Sequence, residues 1–312
     1  MNESTAIRKM VPPSLRRKSA WMGGIVQIHI TRACDKACFG CTQGSNLAGK
    51  TGFIPVDLFE QAVSTLTGYF GVVGIFGGNP ALHPKFDQIC EVLKKHIAFN
   101  RRGLWCNHPK GNGSIMRETF NPSVSNLNVH LDREAYDEFK RDWPESKPFG
   151  LEEDSRHSPV YVAMKDVISE ESERWDLISN CDINKHWSSM VGMFRGELRA
   201  WFCEIAGAQS ILHQYEPDYP DTGLPVVNGW WRKPMSDYAA QVRKHCHDCG
   251  VPLRGHGSLA QDESGTEQVS ETHAGIYKPK RPERSVQLVQ LRSEVSEQSL
   301  KSTVDYLGNS HK

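Results

Sequence analysis

Five short apolar runs, separated by segments of helical period, constrain the fold of this 312-residue chain more than any other feature. The first, from Gly24 to Thr31, contains IVQIHIT, which alternates and is rich in β-branched residues, as a strand requires. Val72 to Phe76 is a second run, closed by Gly77, Gly78 and Pro80 as a buried parallel strand entering a loop would be. Gly103–Cys106, Leu127–Leu131 and Val160–Met164 complete the set. Helices are expected over Val56–Phe70, where Leu58, Phe59, Ala62, Val63 and Leu66 share one face, and over Phe86–His96, Ala135–Trp143 and Glu171–Ser179. Strands alternating with helices imply βαβ units and a parallel sheet. The fold class expected is therefore α/β, with the ligand face beyond the C-terminal ends of the strands.

Two loops meet that edge. Directly after the first strand come Cys34, Cys38 and Cys41, three thiolates within eight residues of irregular chain. Thiolates are soft ligands, and such short spacers let one loop curl around a compact metal group. Three protein ligands on a four-iron cluster leave one iron with an open position, which a catalytic site needs. A zinc site completed by His29 is the alternative. After the second strand, Gly77-Gly78-Asn79-Pro80 provides glycines that let backbone carbonyls approach a ligand closely.

The cysteine spacing, with Phe39 in the CFGC stretch, resembles the signature of the radical S-adenosylmethionine (SAM) superfamily, and Gly77–Pro80 resembles that family's GGEP loop. The resemblance implies a partial (β/α)6 barrel, a SAM-binding [4Fe–4S] cluster on Cys34, Cys38 and Cys41, and SAM itself as cosubstrate. It implies SAM contacts from Phe39, Gly77, Gly78, Asn79 and Pro80. Asn79 departs from the family's Glu, keeping an acceptor but losing the charge. Asn128 and His130, with Asn126, alternate along the fourth expected strand and share one face, so they are further candidates for SAM or substrate, or else polar groups at a strand end.

Beyond residue 181 the pattern changes. Met190–Phe194 and Glu197–Phe202 read as a hairpin turning at Arg195-Gly196, followed by helical stretches at Ala206–Gln214 and Ser236–Lys244. Cys181, Cys203, Cys246 and Cys249 punctuate this region, and four is a complete ligand set. Their order resembles the twitch domain, a shortened SPASM domain, as in the superfamily's aminocyclitol dehydrogenases. That resemblance implies a second, auxiliary [4Fe–4S] cluster without an open iron. A zinc site using Cys203, Cys246, Cys249 and His245 or His247 is the competing reading. Cys90 and Cys106 read as small buried hydrophobes. Arg195 and Glu204 read as surface residues or substrate contacts, His108, His157 and His213 as loop or surface histidines, and Trp230-Trp231 as a plug.

The expected organisation is a basic N-terminal extension over 1–20, a radical SAM core over 21–180, an auxiliary-cluster domain over 181–260, and a polar tail over 261–312 that is partly disordered or wraps the rest. Nine cysteines with no apolar segment behind Arg8, Lys9, Arg16, Arg17 and Lys18 argue against secretion and disulfides. No run approaches the ~20 apolar residues of a membrane span. A soluble, cytoplasmic enzyme is expected. The balance of 37 basic and 37 acidic residues gives no field for nucleic acid. The resemblance implies hydrogen abstraction from a small polar substrate (a sugar, aminocyclitol or nucleoside), with oxidation as one outcome, and electrons from a flavodoxin- or ferredoxin-type reductase. Peptide modification, radical isomerisation or decarboxylation of a nucleotide-linked substrate, and a non-catalytic metal-binding module are the alternatives.

Overall fold

In a computed structural model, the structure describes residues 1–10, 24–152, 159–181, 183, 188–255, 267–280 and 286–289. The strands β1 (Ile25–Thr31), β2 (Val72–Gly77) and β3 (Arg102–Leu104) are joined by α2 (Val56–Ser64) and α3 (Phe86–His96), after a short N-terminal α1 (Glu3–Lys9). β1 pairs in parallel with β2, and β2 with β3, as the alternation demands. The helices α4 (Gly113–Thr119), α5 (Arg133–Asp142), α6 (Met164–Val167) and α7 (Glu171–Asn180) follow. Then come β4 (Ser188–Phe194), β5 (Glu197–Trp201), α8 (Glu204–Leu212), β6 (Leu224–Pro225) and α9 (Ala239–His245). Near the C-terminus are β7 (Glu267–Ser270), α10 (Glu271–Ala274) and β8 (Val286–Val289).

The main sheet has six strands in the order β3-β2-β1-β4-β5-β6. β4 joins the free edge of β1 in parallel and turns back as the antiparallel hairpin β4–β5, so the sheet is mostly parallel and runs unbroken across residue 181. All seven residues of β1 are buried, which suits a central strand covered on both faces. On one face Val26, Ile28, Ile30, Val73, Ile75 and Leu104 pack against the apolar sides of α2–α5. On the other, Phe76, Met190 and Trp201 meet a second cluster formed with α1, α7, α8 and α9.

Two expected strands differ from the six-strand barrel pattern. The fourth is reduced to isolated parallel bridges, Trp105 to Asn126 and Asn128 to Phe149. It stops at Val129 because His130 and Leu131 turn into the left-handed region, with φ of 48° and 63°. His130 therefore leaves the alternation that would have put it on one face with Asn126 and Asn128. Val160–Met164 is not a strand but a buried turn leading into α6. Its backbone donors go to Pro159 O (from Val162 N, 3.0 Å) and to Ser270 Oγ (from Ala163 N, 2.8 Å). A short apolar run is buried in either form, so its composition does not separate them. No described helix is long and apolar enough to cross a membrane.

Candidate metal centre and its surroundings

The first cysteine loop leaves β1 at its C-terminal end and is closed by Arg32. The buried guanidinium donates through Nη2 to Gly44 O (3.0 Å) and through Nη1 to Lys50 O (3.2 Å), using its rigid fork to gather the far side of the loop. Cys34 Sγ accepts from Lys36 N (3.4 Å) and Asn107 Nδ2 (3.3 Å). Burial, then the neighbouring Cys41, pushes the Cys34 thiol up to about 11. Cys41 is likewise raised by burial, and its carbonyl accepts from Gly44 N (3.0 Å) and Tyr161 Oη (3.3 Å). Cys38 is half-buried on the same loop. Ion pairs Lys110–Asp35 (2.6 Å) and Lys36–Asp132 (2.5 Å) tie the loop's charged flank to the chain around α4 and α5.

The Gly77–Pro80 loop is bound directly to this one. Gly78 N donates to Thr31 O (2.8 Å) and Asn79 N to Ala33 O (2.7 Å). A Cβ on Gly77 would fall 2.0 Å from Thr31 O, and one on Gly78 2.2 Å from Ala33 O, so the two backbones can touch only because both residues lack one. Asn79 is fully buried, and its side chain is committed inside the protein. Oδ1 caps the 3-10 turn Pro80–Leu82 through Ala81 N (3.1 Å) and accepts from Cys106 Sγ (3.2 Å), while Nδ2 donates to His108 O (3.1 Å). The Asn79 side chain is thus committed to shaping the loop.

The second set gathers from three helix ends. Cys181 caps the C-terminus of α7, Cys203 stands before α8, Cys246 ends α9, and Cys249 follows one turn later. All four thiols line one cavity with Ile178, Phe202, Ile205 and Val251. Burial, then the other cysteines of the set, raises Cys246 and Cys249 well above the ordinary thiol range. Met10 reaches the same cavity, so the N-terminal segment is packed against this site. His245 also lines it, but both its ring nitrogens are engaged, Nδ1 with Gln209 Oε1 (3.1 Å) and Nε2 with Thr222 Oγ1 (3.1 Å) and Ser210 Oγ (3.3 Å). His247 lies edge-on against Trp175 in a separate surface basin.

Among the described residues, no three His, Cys, Asp or Glu side chains converge closely enough to hold a metal ion. Thiolates of an iron–sulfur cluster ligate different irons and stand wider apart than ligands sharing one ion. Four mutually interacting thiols in apolar walls are a soft, complete donor set for such a cluster. The first loop offers three thiols of the same soft donor type.

Other candidates take different places. Asn128 Oδ1 accepts from His130 N (3.1 Å), which holds the left-handed turn. Among the described residues, His29 Nε2, Gln27 Oε1 and Trp105 Nε1 are buried without a partner. His29 meets Phe76 edge-on on the inner face of the sheet (5.7 Å). Glu204 is not a surface residue: it is buried and accepts from Gln27 Nε2 (2.9 Å) and Ser188 Oγ (2.5 Å). Arg195 is spent on Gln214, Glu216 and Tyr219. Trp230 and Trp231 plug the helix-covered core. His157 lies outside the described residues, as does most of the basic segment after Met10 and of the tail.

The residues the sequence reading missed lie in that tail. Glu267 is buried, and its carboxylate accepts from Gly40 N (2.8 and 3.1 Å), inside the CFGC stretch. The alternation of EQVS was the only signal for a strand there, and four residues in a polar context are too few to weigh.

No family model and no curated protein matches the chain. Among solved structures, it is similar to BtrN in complex with AdoMet and 2-DOIA at 13% identity and a TM-score of 0.40, covering 77% of this chain and 92% of that one. BtrN in an open conformation matches at 12% identity and a TM-score of 0.37, covering 77% and 91%.

Proposed function

We propose that this chain is a radical SAM enzyme with two [4Fe–4S] clusters, acting on a small polar substrate. The observation that carries the reading is the junction at the C-terminal edge of β1 and β2. There the Cys34-Cys38-Cys41 loop is hydrogen-bonded to a Gly77-Gly78 backbone that no other residue type could bring so close. Cys34, Cys38 and Cys41 would hold the first cluster. Bound there with an open iron, it would supply the electron that splits the sulfonium of SAM and releases a 5′-deoxyadenosyl radical.

The protein's own contribution is position and exclusion. Arg32 fixes the loop, Asn107 donates to Cys34, and the carbonyls of Gly77 and Gly78 are the groups proposed for an ammonium group of SAM. Phe39, Pro80, Asn128 and His130 are the further residues proposed to border SAM. Cys181, Cys203, Cys246 and Cys249 would hold the auxiliary cluster in a unit spanning 181–260 that shares one sheet with the core over 21–180. With every iron ligated, that site is suited to accept an electron, so oxidation of an alcohol- or amine-bearing carbon of a sugar, aminocyclitol or nucleoside is the outcome proposed. A flavodoxin- or ferredoxin-type protein would be the reductant.

Anaerobic reconstitution tests this. About eight irons and eight sulfides per chain are expected, with 5′-deoxyadenosine formed from SAM under reduction. A chain that takes up no [4Fe–4S] cluster, or takes it up and leaves SAM intact, would overturn the reading.

A further inference from the structure

The segment 267–280 touches both cysteine sites, although neither site includes a residue from it. At its start, Glu267 is 2% exposed and accepts from Gly40 N, from Asn46 Nδ2 (3.5 Å) and from Tyr277 Oη (3.1 Å). Gly40 lies between Cys38 and Cys41. At the other end, Ala48 N donates to Lys278 O (2.7 Å) and Lys280 N to Asn46 O (2.7 Å), and Lys280 Nζ reaches Cys34 O. In the middle, His273 Nε2 pairs with Asp248 O (2.6 Å), and Asp248 lies between Cys246 and Cys249. The segment is itself fastened to α6 and the turn before it. Ser270 Oγ and Thr272 N both donate to Asp166 Oδ2 (2.6 and 2.8 Å), and Ser270 N donates to Tyr161 O (3.0 Å).

Tyr161 completes the frame. Its hydroxyl reaches Cys41 O and Asn46 Oδ1 (2.8 Å), and its ring packs edge-on against Tyr277 (5.1 Å) and His273 (6.1 Å). A buried carboxylate bonded to a backbone N–H is among the stronger neutral-to-charged contacts a loop can have. Its loss leaves Gly40 N without its acceptor.

We propose that residues 267–280 form a strap that positions the two cysteine sites relative to each other, with Glu267 holding the first loop at Gly40 and His273 holding the second turn at Asp248. Both are positioning residues. The catalytic meaning of the strap rests on the two-cluster reading, but the contacts themselves do not. Partners that orient ligands without binding metal commonly change metal affinity 10- to 100-fold when removed.

The test is thiol alkylation of the full-length, metal-free chain under native conditions, followed cysteine by cysteine by mass spectrometry. E267A should raise the alkylation rate of Cys41 by about tenfold while Cys249 keeps its wild-type rate. H273A should do the reverse. E267Q and H273Q, which retain an acceptor and a donor, should recover most of the protection. E267Q is close to isosteric, so it keeps the test decisive if E267A folds poorly. Wild-type rates in all four variants would overturn the proposal. So would Cys41 and Cys249 rising together in each Ala variant, because that pattern reports general loosening. No cluster is present in this assay, so failure of the two-cluster reading would show separately, as absent iron uptake.

Discussion

The two cysteine sites use the same kind of donor atom and are built by opposite means. The first is one continuous loop at a sheet edge, wired by polar contacts: Arg32 to its far carbonyls, Asn107 to Cys34, Glu267 to Gly40, and Lys36 and Lys110 to acidic partners. The second has its thiols on three helix ends and a turn, in an apolar cavity. A polar, partly open loop can admit a charged cosubstrate and leave a coordination position for it. An apolar cavity lowers the local dielectric, which suits a group that exchanges only electrons. The same donor atoms thus stand in a polar setting at one site and an apolar one at the other.

The largest expected effect would break the comparison at its first term. The triple variant C34A/C38A/C41A should reduce 5′-deoxyadenosine formation to background while the chain keeps about four irons. SAM cleavage in that variant would move the initiating site elsewhere. Next, C203A should lose about four irons yet still cleave SAM, with turnover of the native substrate abolished. Retained turnover would make the apolar site structural.

A smaller effect sharpens the first site alone. G78A places a methyl group 2.2 Å from Ala33 O, so one of the two loops must move. A loss of about 1–3 kcal/mol in unfolding free energy is expected, together with weaker SAM binding and near-normal iron content. Thermal unfolding and equilibrium dialysis with SAM check the two parts.

How much of this was legible in the residues follows from the range of the interactions. β1, β2 and the β4–β5 hairpin announce themselves through alternation, and the CFGC and Gly77–Pro80 spacings are local patterns. The neighbour of β1 on its second side is 163 residues away, at Ser188, and no local signal encodes that pairing. The role of Asn79 depends on Cys106 and His108, which only the folded sheet brings near it. Glu204 reads as a surface acid in sequence because one of its two buried donors, Gln27, is 177 residues away on β1. Val160–Met164 read as a strand because burial alone set its composition, while its turn is fixed by Ser270, more than a hundred residues later.

The smallest prediction compares a histidine near each site. Burial lowers both His29 and His245 to about 3, so both are neutral at pH 7.5. His245 has partners on both ring nitrogens, whereas His29 Nε2 has none among the described residues. Replacing His245 by Leu should therefore cost about 1–3 kcal/mol at pH 7.5, because Gln209 and Thr222 lose a buried partner. Replacing His29 by Leu should change stability by less than about 1.5 kcal/mol there, since an unpaired polar atom is exchanged for a well-packed apolar one. The acid limb adds a second signature. Unfolded, His29 takes up a proton near pH 6.5; folded, it resists until about 3. Between those values the unfolded state binds the extra proton, so stability falls with falling pH by up to about 1.4 kcal/mol per unit, and H29L should lose that share of the slope. Denaturant unfolding at pH 7.5 and 5 measures both. A cost for H29L at pH 7.5 equal to that of H245L would show that His29 Nε2 is engaged, and that the inner face beneath the first site is as fully wired as the pocket beside the second.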